Sequence, residues 1–108
     1  MNYLNELRAW EKRVVSWVGT DARLVHVSSH SSDIRVFESK GRIFKIRKLT
    51  PASVHGRPNS LEDEYLLLKH LEERARPPLI VPRALSFRYE GEWECLEMEK
   101  VDPPRACD

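Results

Sequence analysis

Two runs of strand-forming residues meet at Lys40-Gly41, and this junction limits the possible folds more than any other feature of the chain. Residues 34–38 read Ile34-Arg35-Val36-Phe37-Glu38, and residues 42–47 read Arg42-Ile43-Phe44-Lys45-Ile46-Arg47. A glycine-containing turn this short holds two such runs side by side and antiparallel. Residues 23–27, Arg23-Leu24-Val25-His26-Val27, read as an earlier strand, joined by the polar turn 28–33. The three runs together form an antiparallel meander.

Helical periodicity flanks this meander. In residues 3–18, Tyr3, Leu7, Trp10, Val14 and Trp17 recur at three- and four-residue steps between charged positions. That is an amphipathic helix, with Asn2 placed as N-cap and Gly19 as its stop. The Trp10 and Trp17 stripe needs a partner, and the chain's own sheet is the expected one. A loop with Pro51, Gly56 and Pro58 follows the third strand. A second helix then opens at Ser60, whose spacing to Asp63 is that of a capping box, and runs to about Arg74 before Pro77-Pro78. Residues 84–89 and 93–98 read as a hairpin across Glu90-Gly91. The expected fold is therefore α+β, a five-stranded antiparallel sheet with one helix inserted after strand three and an extra helix in front. Residues 1–20 form the leading helix, 21–102 the domain proper, and 103–108 a tail or linker.

Composition limits the function classes. The 108 residues are 41% hydrophobic and 32% charged, enough for one small core and unlike a disordered chain. Net charge is +1, so no strong field points to nucleic acid. No apolar run approaches the roughly 20 residues that cross a bilayer. Cys95 and Cys107 form no CxxC pair and read as reduced thiols, which places the chain in the cytoplasm. The four histidines lack metal-ligand spacing, and no metal site is expected.

Lys45 is the chemically loaded residue. It lies mid-strand in an apolar run, where an ammonium loses solvation unless an anion meets it. The second helix supplies one, since Leu61, Glu64, Leu68 and Leu71 share a face by their spacing. Burying those leucines carries Glu64 toward the sheet. Spacing alone leaves the choice among Glu62, Asp63 and Glu64 open, with Glu62 the main rival. The simpler reading of Lys45 is a lysine extending to water.

The order of elements, the strand-three lysine and the helix glutamate resemble the N-terminal, ATP-binding lobe of the protein-kinase-like superfamily. The style is nearest to atypical bacterial small-molecule and lipopolysaccharide-type kinases, and the likeness covers roughly residues 22–102. Ile43-Phe44-Lys45 stands where that family has V-A-I-K, and residues 64–71 match its E-x-x-x-L-x-x-L. Residues 95–101 resemble strand five running into the hinge, written L-V-M-E-x-V in those branches. The resemblance implies that Lys45 holds ATP phosphates, Glu64 orients it, and Val36 and Ile43 cover adenine. It further implies Met98 as gatekeeper, with the backbones of Glu99 and Val101 bonding the base edge. The family's glycine-rich loop would fall on residues 28–33, which contain no glycine and carry Asp33, whose charge repels a triphosphate. The catalytic and magnesium-holding groups of that family belong to a second lobe, so no catalytic residue is assigned to this chain. Transfer is not expected from it alone, and magnesium is expected only in a completed enzyme. The implied partners are a nucleotide and a C-terminal lobe or partner chain. The alternative is a stand-alone regulatory or partner-binding module derived from such a lobe, without nucleotide chemistry. A generic α+β domain is a third reading.

Overall fold

The computed structural model describes residues 3–27, 34–49, 61–74 and 81–101. The expected turn at 28–33, loop at 50–59, caps at Asn2 and Ser60, Pro77-Pro78 stop, tail at 103–108 and Cys107 lie outside the described residues.

The elements are α1 (Tyr3–Trp17), β1 (Arg23–Val27), β2 (Ile34–Ser39), β3 (Arg42–Lys48), α2 (Leu61–Arg74), β4 (Ala84–Glu90) and β5 (Trp93–Glu99). The five strands form one open antiparallel sheet in the order β1-β2-β3-β5-β4. This is the α+β arrangement expected from the sequence, with α2 inserted after strand three and α1 in front. Strand β3 is central, and its neighbours β2 and β5 come from opposite sides of the α2 insertion.

Both hairpins are fixed by backbone chemistry. Lys40 and Gly41 adopt φ of 52° and 76°, the two positive values that match a tight turn to the sheet's twist. Lys40 is the only non-glycine residue with positive φ among the described residues, and a Cβ there is strained. Lys40→Asn, which tolerates this conformation, should raise stability by about 0.5–1 kcal/mol, read as a higher urea midpoint. The second hairpin pairs Glu90 with Trp93, so its loop is Gly91-Glu92, one residue later than the expected Glu90-Gly91. Gly91, with φ of 60°, takes the first loop position, where only glycine enters without cost.

Strand alternation divides the interior into two layers. On one face Trp10, Phe37, Phe44, Ile46, Trp93 and Cys95 form a buried cluster beneath α1, with Val14 and Trp17 against it. The Trp10 and Trp93 rings meet edge to face, centroids 4.9 Å apart and planes at 88°. The Arg13 guanidinium lies 4.5 Å from the Trp17 ring centroid and pairs with Glu90 at 3.2 Å. The leading helix is thus packed on its own sheet, as expected. On the other face Leu61, Ala84, Leu96 and Met98 form a second cluster with Ile43, Tyr65, Leu68 and Phe87 beneath α2.

Period-two alternation also separates Arg42, Arg47 and Lys48. Arg42 and Lys48 share the α1 face with Phe44 and Ile46, and Arg47 shares the α2 face with Ile43 and Lys45. Arg42 pairs with Glu97 at 2.6 Å, and Lys48 lies 5.6 Å from the Trp93 ring centroid.

Burial pushes the Cys95 thiol up from 9.0 to about 12; nearby Arg88 opposes the shift and Glu97 adds to it. The folded thiol therefore ionises later than the unfolded one. Stability is whole below pH about 9 and falls as pH rises toward about 12. Cys95→Ala should flatten that decline in urea melts, and iodoacetamide at pH about 8 should leave native Cys95 unmodified in peptide mass maps.

Candidate functional site

The candidate site lies on the α2 face of the sheet, at its centre. Lys45 of β3 stands opposite Val36 of β2 and Leu96 of β5. One pleat away, Ile43 stands opposite Glu38 and Met98. Cross-strand partners share a face, so Val36, Ile43, Lys45, Leu96 and Met98 lie on one surface.

Helix α2 reaches this surface through Leu61, Tyr65 and Leu68. Glu64 falls between Leu61 and Leu68 at i+3 and i+4 spacing and is carried inward with them. Lys45 Nζ donates to both Glu64 oxygens, at 2.7 and 3.0 Å. Glu62, the main rival on spacing, is exposed, and Asp63 is exposed as well. The helix phase makes this selection, because only Glu64 belongs to the leucine stripe.

Exposure sets the energy of the pair. The Lys45 and Glu64 side chains are 26% and 35% exposed. An ion pair this wet contributes about 0.2–1 kcal/mol, far less than a core side chain. The geometry nonetheless fixes the ammonium in one place and leaves at least one of its three N–H donors for another acceptor.

The remaining sequence-derived positions divide. Val36 and Ile43 are half-buried on the shared face, and Met98 is buried within the α2 cluster. Glu99 and Val101 lie at the rim of the sheet, past its packed centre. Glu99 stands opposite Arg42, its side chain is half exposed, and its N–H donates to the Arg83 carbonyl at 2.9 Å. That N–H is therefore committed inside the fold. Val101 is 40% exposed.

The segment after β5 is tied down by residues that sequence reading passed over. Lys100 N–H donates to the Gly41 carbonyl at 3.1 Å, and Lys100 Nζ meets Glu38 Oε2 at 2.9 Å. Glu38 also receives Arg23 Nη2 at 2.9 Å. The Lys100 hydrogen bond, followed by Arg23, holds the Glu38 carboxyl below its ordinary value of 4.5. This clasp is complete above that value and loosens as pH falls below it. Its signal in the sequence was alternation: Glu38 is two residues past Val36 and shares its face.

Glu94 is the second residue missed. It is 1% exposed, lies on the α2 face opposite Arg47, and its Oε2 accepts from Leu61 N–H at 3.3 Å. A buried carboxylate thus meets the first turn of α2, where unpaired N–H groups and the helix dipole favour negative charge.

Among the described residues, no group of three or more His, Cys, Asp or Glu side chains could hold a metal ion. No helix among them is long and apolar enough to cross a membrane. Comparison with protein-family models, with curated proteins and with solved structures gave no match.

Proposed function

We propose that this chain is the ATP-binding lobe of a kinase-like phosphotransferase. The observation that carries the proposal is the two-oxygen Lys45–Glu64 pair, set on one face with Val36, Ile43 and Met98. A lysine so held presents a fixed positive charge and a spare donor, the requirement for gripping a phosphate oxygen. Val36 and Ile43 are half-buried apolar neighbours on the same face, suited to covering a flat base. In this reading the Glu99 carbonyl and the Val101 backbone would meet the base edge.

The donor set fits the phosphate end of a nucleotide with one ammonium. Among the described residues no group of three or more acidic, His or Cys side chains could hold magnesium, and no step through the metal is assigned to this chain. Phosphoryl transfer falls to a second lobe or a partner chain, which would supply the base and the metal ligands.

Melting in MgATP tests the reading. With a dissociation constant of about 1 mM, about 10 mM MgATP stabilises the fold by RT ln 11, about 1.4 kcal/mol. For a chain of this size that raises Tm by roughly 5 °C or more. Magnesium tripolyphosphate at equal ionic strength is the control for charge alone. Lys45→Ala should remove the shift while lowering stability by no more than about 1 kcal/mol, since the pair is partly open to water. No shift in the unmutated chain would reject nucleotide binding and leave the partner-binding module.

A further inference from the structure

On the face of the sheet opposite Lys45, a groove runs between α1 and β2. Leu7, Val14 and Val15 line its α1 side, Phe37 its floor and Arg35 its β2 side. It holds about 360 Å³, the size of a small-molecule site.

Arg35 is the unusual lining residue. Arg13, Arg23 and Arg42 each pair with a carboxylate, whereas Arg35 enters no ion pair formed among the described residues. Its guanidinium lies 4.4 Å from the Trp10 ring centroid, and its buried Nε–H meets no acceptor among the described residues. Stacking on the indole fixes the plane of the guanidinium but leaves its edge donors unmatched. A planar carboxylate is the partner such an edge accepts best. Exposed apolar surface lies beside it, with Val15 47% exposed. Glu11 also lines the groove and repels a second negative charge.

We propose that this groove binds a small monocarboxylate with an apolar body. Its carboxylate meets Arg35, and its hydrocarbon lies along Leu7, Val14 and Val15. The site is separate from the Lys45 face and independent of any nucleotide.

The test is a ¹H–¹⁵N titration of the whole chain with 1-naphthoate and with its neutral counterpart 1-naphthylmethanol, followed at the Trp10 indole N–H. The unmutated chain should bind the carboxylate at least about ten-fold more tightly than the alcohol. Arg35→Met, which keeps an apolar stem, should remove that preference while the amide spectrum stays dispersed. If Arg35→Met unfolds the chain, the comparison of the two probes on the unmutated chain decides by itself. Equal affinity for both probes, absence of binding up to roughly 10 mM, or shifts centred on Lys45 instead of Trp10 would overturn the proposal.

Discussion

Trp10→Ala is expected to lower the unfolding free energy by about 3–5 kcal/mol, the largest effect of any single change proposed for this chain. Trp10 is 3% exposed, although it sits on a helix outside the β-meander. Its ring fills the α1 side of the first cluster and meets Trp93 edge to face, a contact worth about 0.5–1.5 kcal/mol beyond its area. Truncation removes that contact, leaves a cavity, and takes the platform from beneath Arg35. Total stability for a domain of this size is about 5–15 kcal/mol, so the variant should lie near the edge of folding. Thermal melts followed by circular dichroism should show Tm lower by more than about 12 °C. A loss below about 1 kcal/mol would mean that α1 is not docked on the sheet.

Glu94→Ala is expected to cost about 3 kcal/mol and to act mainly on α2. The buried carboxylate accepts from Leu61 N–H, so its removal leaves a donor of the first helical turn without that acceptor, at about 1–3 kcal/mol. Loss of negative charge at the helix start and the cavity left by the side chain add to this. Glu94→Gln keeps an oxygen acceptor and should recover much of the loss. Hydrogen exchange separates local from global weakening. In Glu94→Ala the α2 amides should lose protection before those of β2 and β3, and the Lys45–Glu64 pair should loosen with them. Uniform loss of protection across the sheet would show that Glu94 serves the core as a whole and has no special role at the α2 terminus.

Much of this architecture was legible in the sequence because period and punctuation agreed. The Lys40-Gly41 junction marked one hairpin, and the Trp10 and Trp17 stripe marked the face of α1 that meets the sheet. An acid on the leucine stripe was legible as the partner of Lys45, but the choice among Glu62, Asp63 and Glu64 stayed open until the folded helix paired Glu64 with the lysine and left the other two exposed. Glu94 was not legible, although alternation puts it on the face of Leu96 and Met98. An acid in a strand is ordinarily placed in solvent, and only the approach of α2's first turn makes burial favourable. The same limit hid the Lys100–Glu38–Arg23 clasp, whose members are far apart in sequence and meet through strand pairing. The hairpin at Gly91 was misplaced by one residue because Glu90-Gly91 and Gly91-Glu92 are both acceptable turn pairs, and pairing of Glu90 with Trp93 decides between them.

The central claim concerns a single ammonium group, and nitrogen-detected NMR of the Lys45 side chain in a MgATP titration addresses it directly. A visible, slowly exchanging Lys45 Nζ signal is expected in the unmutated chain, lost in Glu64→Ala and moving with MgATP together with the Ile43 and Val36 amides. An amine that exchanges freely with water, and that ignores both Glu64→Ala and nucleotide, would contradict it.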